Sequence, residues 1–277
     1  MRPTDSPPCD GCRNGTDFHV PITMAFQPIL SMAKRRVFAH EALVRGADGS
    51  GAGAVFSQVT EDTRYLFDQT CRIKAIELAA RLNLVDDGAL LSINFLPNAV
   101  YNPRACIRIT LDAARQVGFP IDRIMFEFTE GEKVNPAHLL NILRHYRALG
   151  FLTAIDDFGA GYAGMALLAD FVPDVVKLDM HLIRGCDEDP IRRTMLAHMV
   201  SMLKDLDVAV VCEGIETPEE YETLRRLGVD LMQGYLFARP AFEALSVPVW
   251  PEPGDPFGAW PEPDTAAAAI LDRRAAG

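Results

Sequence analysis

The stretch ITMAFQPILSMAKRRVFAHEALVRG, residues 22–46, holds two β-like runs, 22–30 and 37–44, with only SMAKRR between them. A parallel crossover needs about a dozen residues or more, so these two runs are expected to pair antiparallel. Downstream the pattern changes. Strand-like runs at 89–95, 123–129, 151–156, 174–178, 207–212 and 230–236 alternate with helix-like runs around 55–84, 102–117, 136–149, 163–170, 190–206 and 217–227. Eight strands alternating with helices predict an α/β fold, a TIM-like (β/α)8 barrel with an irregular, antiparallel first strand.

The barrel is assigned to residues 19–245. Residues 1–18 are polar and contain Cys9-x-x-Cys12, while residues 246–277 carry Pro-Glu-Pro twice. Both flanks read as tails, the second with TAAAAILDRRAA as a short helix. The 277 residues, 49% of them hydrophobic, suffice for one large core. No apolar run approaches the roughly 20 residues that span a bilayer, and MRPTDSPPCDGC lacks the apolar centre of a signal peptide. A cytoplasmic protein without a membrane partner is expected. A formal charge of −11 argues against binding a nucleic-acid polymer. Cys71, Cys106, Cys186 and Cys212 lie scattered in apolar or helical surroundings and read as free thiols. Cys9, Cys12 and His19 fall one ligand short of a zinc site.

The chemistry sits where each apolar run gives out. Glu41, Asn94, Glu127, Asp156, Asp157, Lys177, Glu213 and Gln233 each end one. In a barrel these carboxyl ends gather at one mouth. The carboxylates and the asparagine are hard oxygen donors, with no His-Cys cluster beside them, so Mg²⁺ or Mn²⁺ is the expected ion. Adjacent side chains on a strand face opposite ways; Asp156 is therefore expected to point inward, and Asp157 to reach the same site from the loop beginning there. Two like charges so close require cations between them, which suggests two ions, typically ~3.5–4 Å apart. Gly159-x-Gly161-x-x-Gly164 matches a dinucleotide-binding pattern, but the two aspartates before it would repel a pyrophosphate.

Ordered motifs over nearly all of residues 22–240 resemble the EAL-domain cyclic di-GMP phosphodiesterases. They are FQPI at 26–29, EALVRG at 41–46, SINF around Asn94, FEFTE at 126–130, DDFGAGYAG at 156–164, VKLD at 176–179, CEGIET at 212–217 and QGYLFARP at 233–240. The resemblance implies hydrolysis of cyclic di-GMP to linear pGpG with two metal ions. Glu41, Asn94, Glu127 and Asp156 would hold one ion. Asp156, Asp157 and Glu213 would hold the other. Lys177 would orient the attacking water or help deprotonate it, acting with Glu41 and Asp157 as the catalytic set, and its burial near cations is expected to lower its pKa.

By the same resemblance Arg45 would grip a substrate phosphate in bidentate fashion, with Gln27, Pro28, Leu43 and Gln233 as further substrate contacts. Glu130 would steady the loop after the fifth strand, and Glu216 would support the metal ligands. A homodimer and a separate regulatory protein are the partners implied. The chain departs from the family pattern at Gly46, in the glycine-rich ADGSGAGAVF and at Ala160, Ala163 and Gly164, which bears on loop rigidity rather than on the ligands. The alternative reading is a noncatalytic cyclic di-GMP receptor that signals to a partner.

Overall fold

The structure, a computed structural model, describes residues 18–129, 134–161, 164–251 and 263–273. In chain order the elements are β1 (Ile22–Ser31), β2 (Arg36–Gly46), α1 (Ala52–Phe56), α2 (Arg64–Arg81), β3 (Leu90–Asn94), α3 (Pro103–Val117), β4 (Ile124–Thr129), α4 (Pro136–Ala148), β5 (Leu152–Phe158) and α5 (Gly164–Asp170). There follow β6 (Val175–Leu178), α6 (Met180–Ile183), α7 (Pro190–Asp205), β7 (Ala209–Cys212), α8 (Pro218–Arg226), β8 (Leu231–Met232), β9 (Ala241–Phe242) and α9 (Thr265–Arg273).

Strands β2 to β8 pair in parallel in sequence order, and β1 closes the barrel by running antiparallel to both β2 and β8. The short β1–β2 connection thus has the consequence expected of it. β9 adds to the outer half of β1 through Ala25 and Phe26. No described helix is long and apolar enough to cross a membrane.

Several helices start on one local device, a capping side chain followed by proline: Asn102-Pro103, Asn135-Pro136, Asp189-Pro190 and Thr217-Pro218. The cap accepts bonds from free first-turn N–H groups, and proline has no N–H to leave unpaired there. Thr217 and Glu220 form a reciprocal capping box. These fixed starts place the preceding loops, which carry the site.

The helical run expected over 55–84 is two helices. Thr60 and Thr63 exchange side-chain and backbone hydrogen bonds between α1 and α2, and such local bonding competes with helix. The C-terminal segment is also more than a tail. Ala267, Ile270 and Leu271 of α9 are buried in one cluster with Ile29, Phe38, Leu90, Met125, Leu152, Val175 and Leu231 from the barrel floor. Asp264 accepts from Ala267 N at 2.9 Å and from Val210 N at 3.4 Å, and its own N–H donates to Asp230 at 3.0 Å. The expected helix is present, and it seals the end of the barrel opposite the mouth.

Candidate active site at the barrel mouth

Strand register delivers the polar residues to one place. Glu41 lies opposite Ser92, Asn94 opposite Glu127, and Thr129 opposite Asp156, so the register brings the ligand-bearing positions to neighbouring heights, although Glu41 is mid-strand in β2 rather than at its end. Two groups of carboxylates result: Glu41, Glu127 and Asp156, and then Asp156, Asp157 and Glu213, each with one oxygen per residue within 4.8 Å of the others. Asp156 belongs to both groups.

Asp157 reaches the site by a different route from the one expected. β5 continues to Phe158, and its pairing with β6 slips between Ile155 and Phe158. At that irregularity Asp157 is left-handed, with φ of 53°, a conformation aspartate tolerates better than most residues. A bulge inside the strand, not a loop beyond it, turns both neighbours toward one centre.

Lys177 on β6 stands in the middle. Its Nζ is 2.6 Å from Glu213, 2.9 Å from Glu127, 3.0 Å from Asp156 and 3.5 Å from Glu41. Without ions, burial alone would lower the ammonium, but Asp156, Glu127, Glu213 and Glu41 together hold it well above its ordinary value; the expected lowering beside cations concerns the metal-bound site. The acids respond to burial and crowding. Glu127 is pushed up to about 8 by burial, with Glu41 and Asp156 adding to the shift and Lys177 opposing it. Asp157 rises to about 6 through burial and the charges of Asp156 and Asp179. Glu213 is also raised well above its usual range, chiefly by burial. Fully ionised, the cluster would carry more negative charge than one lysine can balance.

Glu41 is held from both sides, by Asn94 Nδ2 at 3.0 Å and Gln233 Nε2 at 2.9 Å. The site's unused valences suit a divalent cation. Gln233 Oε1 is buried without a hydrogen-bond partner, and Asp156 Oδ1, though near Lys177, accepts no aligned hydrogen bond. The donors are uncharged or anionic oxygens, the set that Mg²⁺ and Mn²⁺ take.

The mouth opens into a cavity of about 300 Å³ lined by Gln27, Leu43, Asp179, Glu216 and Tyr235 as well as the acids. A second cavity of about 440 Å³ adjoins it at Glu41, Leu43 and Asp156, with walls of Phe56, Phe67 and Phe95. Arg45 follows Glu41 and Leu43 on the same strand face, and its guanidinium donates to Val44 O at 2.7 Å. Pro28 is buried, paired with His40 rather than with Glu41, and lines neither cavity. Glu130, Cys9 and Cys12 lie outside the described residues. Cys106, Cys186 and Cys212 are buried free thiols, and Cys71 is half-buried.

The loop carrying Glu213 is clamped by groups that the sequence reading did not single out. Arg184 bonds Gly214 O at 3.1 Å, Glu216 at 3.0 Å and the buried Glu220 at 3.1 Å. Gly234 packs so tightly on this loop that a Cβ there would lie 2.0 Å from Ile215 O. Arg72 was also missed. Fully buried behind Asn94 and Glu127, it pairs with Asp68 at 2.8 Å, bonds the Tyr146 hydroxyl at 2.8 Å and lies over the Phe126 ring at 5.0 Å. Asp68 in turn accepts from Leu96 N at 2.9 Å, which fixes the chain just beyond Asn94. Ser92, buried on β3, donates its hydroxyl to Glu127 Oε1. A polar residue inside an apolar strand, two positions before a ligand, was the signal available for it.

The fold and site define an α/β barrel with a lysine-centred acidic mouth suited to divalent ions. The chain belongs to the EAL-domain family, whose model matches residues 20–240. It is 30% identical over 229 residues to the blue light- and temperature-regulated antirepressor BluF of Escherichia coli, covering 82% of this chain and 56% of that one. It is 36% identical over 122 residues to the cyclic di-GMP phosphodiesterase RocR of Pseudomonas aeruginosa, covering 44% of this chain and 31% of that one. The chain therefore spans about half or less of these curated relatives. Among solved structures, a standalone EAL protein from Vibrio cholerae in its c-di-GMP-bound form is 50% identical, with a TM-score of 0.81, over 84% of this chain and 98% of that one. A manganese and cyclic di-GMP complex of Klebsiella pneumoniae BlrP1 is 34% identical, with a TM-score of 0.78, over 84% of this chain and 60% of that one.

Proposed function

We propose that the protein is a metal-dependent phosphodiesterase that opens cyclic di-GMP to linear pGpG. The observation that carries this reading is the pair of carboxylate groups sharing Asp156 around Lys177. Glu41, Asn94, Glu127 and Asp156 would hold one Mg²⁺ or Mn²⁺ ion, and Asp156, Asp157 and Glu213 the second. Bound there, such ions lower the pKa of a water and neutralise charge building on the phosphate.

The chain's own groups do the rest. Lys177, placed among the acids, orients the attacking water and passes a proton, with Glu41 and Asp157 fixing the geometry. Gln233 holds Glu41 and faces water or substrate. Gln27 and Leu43 shape the substrate floor, Arg45 on the same strand face takes a phosphate, and Glu216 steadies the Glu213 loop through Arg184. Pro28 lines neither cavity, and Glu130, which would steady the loop after β5, lies outside the described residues.

Support comes from the family match and from relatives named as cyclic di-GMP phosphodiesterases. Cytoplasmic placement and a homodimer belong to the same reading. Met165, Ile191 and Met195 on α5 and α7 present exposed apolar surface suited to a second copy. The test is incubation of the purified protein with cyclic di-GMP and Mg²⁺ or Mn²⁺, beside Glu41→Ala, with nucleotides separated by chromatography. pGpG from the wild type alone is the expected result.

A second reading, a noncatalytic receptor that acts on a regulatory protein, is favoured by the match to a relative named as an antirepressor. Tight binding of cyclic di-GMP without turnover, at saturating Mn²⁺, would replace the enzyme with the receptor.

A further inference from the structure

Ser92 is fully buried on β3, two residues before Asn94 and therefore on the same inward face. Its neighbours in register are Glu41 on β2 and Met125 on β4. Its hydroxyl proton is given to Oε1 of Glu127, while Lys177 donates to Oε2 of the same carboxylate at 2.9 Å. Glu127 is itself fully buried, so no solvent competes for either oxygen.

This division of one carboxylate has a chemical consequence. A carboxylate with both oxygens available can chelate a cation, and large, flexible Ca²⁺ accepts such two-oxygen ligation readily. Mg²⁺ and ions of its kind demand near-octahedral geometry and take one oxygen from each carboxylate. A hydroxyl that engages Oε1 leaves Oε2, which Lys177 meets at 2.9 Å, as the one oxygen through which Glu127 would take a cation.

We propose that Ser92 is a positioning residue that sets cation selectivity: by occupying Oε1 of Glu127 it confines that carboxylate to one-oxygen ligation and biases the mouth toward Mg²⁺ and Mn²⁺ over Ca²⁺. The inference rests on the proposed metal site. It assigns to β3 a part in choosing the ion, beyond the ligand Asn94.

The experiment titrates the full chain, without nucleotide, with MnCl₂ and separately with CaCl₂ by calorimetry, for wild type, Ser92→Ala and Ser92→Thr. Partners that orient ligands typically change metal affinity by about 10–100-fold when removed. Ser92→Ala is expected to narrow the preference for Mn²⁺ over Ca²⁺ by about tenfold or more, and Ser92→Thr, which keeps the hydroxyl, to restore it. An unchanged ratio in Ser92→Ala, or an equal loss for both ions, would overturn the proposal. Wild-type protein that binds neither ion would sink the metal site itself, a failure seen before any variant is made. Should Ser92→Ala not fold, Ser92→Cys, similar in size and a weak donor, takes its place with the same expectation.

Discussion

Lys177 Nζ lies 2.6 Å from Glu213 Oε1, joining β6 to the loop after β7 inside a mouth that is otherwise acidic. The lysine is 1% exposed and is the cation among the described residues that touches both carboxylate groups. Its replacement by methionine keeps the stem and deletes the charge. Breaking a buried ion pair from one side costs about 3–5 kcal/mol, and protonation of the stranded acids would recover part of that. Lys177→Met is therefore expected to destabilise the metal-free protein by about 2–4 kcal/mol. Added Mn²⁺ should raise its melting temperature more than it raises the wild type's. Scanning calorimetry with and without Mn²⁺ checks this; an equal loss in both conditions would show that the lysine is not standing in for cations.

The raised acids set a pH dependence. In the metal-free fold Glu127 titrates at about 8 and Asp157 at about 6, both above their ordinary ranges. A raised carboxyl favours the folded state most fully below its unfolded pKa, and that contribution is lost as pH rises through the folded value. Metal-free protein should thus lose stability between about pH 5 and pH 8 on account of these groups. Metal binding needs them ionised and must release protons. Mn²⁺ affinity is expected to climb by up to about tenfold per pH unit between pH 6 and 8, then level off. Titrations in buffers of different ionisation enthalpy would show the proton release, and a flat profile would contradict it.

Gly234 is the tightest approach around the mouth, with Ile215 O and N at 2.0 and 2.4 Å from where a Cβ would stand. Both are backbone atoms and cannot swing aside. Gly234→Ala must move the Glu213 loop, and a loss of roughly 2–3 kcal/mol with weakened Mn²⁺ binding is expected, in the range of overpacked interiors. Gly53 in α1 has nothing within 4 Å and no positive φ. Gly53→Ala should be neutral or stabilising by up to about 1 kcal/mol, which makes it the matched control. Comparable losses from the two substitutions would refute the steric account.

The opposite end of the barrel offers a separation of stability from chemistry. Asp264 starts α9 and also accepts from Val210 on the floor. Asp264→Ala should cost about 1–2 kcal/mol, the range for a lost helix cap, with Mn²⁺ affinity unchanged because the ligands stand at the other rim. A parallel fall in metal affinity would mean that floor and mouth are coupled.

Much of this arrangement was readable before folding, for reasons that differ by residue. Asn94, Glu127 and Glu213 are legible because an apolar run stops at a charge or an amide at or near a strand end, and barrel geometry then brings such ends together, whereas Glu41 stands in the middle of β2, which runs on to Gly46. The antiparallel start follows from chain reach across six residues. Asp157 was harder, since a left-handed bulge inside a strand leaves no periodicity to read. The break between α1 and α2 hides in two threonines whose bonding is visible only once they face each other. Arg72 and Ser92 look like ordinary polar residues on amphipathic elements until burial is known. The lysine's charge balance depends on four carboxylates from four separate strands or loops, a sum no local window contains.

Sealing of the barrel floor by α9 also imposes an order of events during synthesis. The strands lining the floor, from Ile29 on β1 to Leu231 on β8, leave the ribosome before Ile270 and Leu271 that cover them. At about 5–20 residues per second that interval is roughly 2–8 s, long against the sub-millisecond collapse of an apolar chain. A nascent barrel therefore exposes a sticky underside for seconds, the stage at which aggregation would compete with maturation.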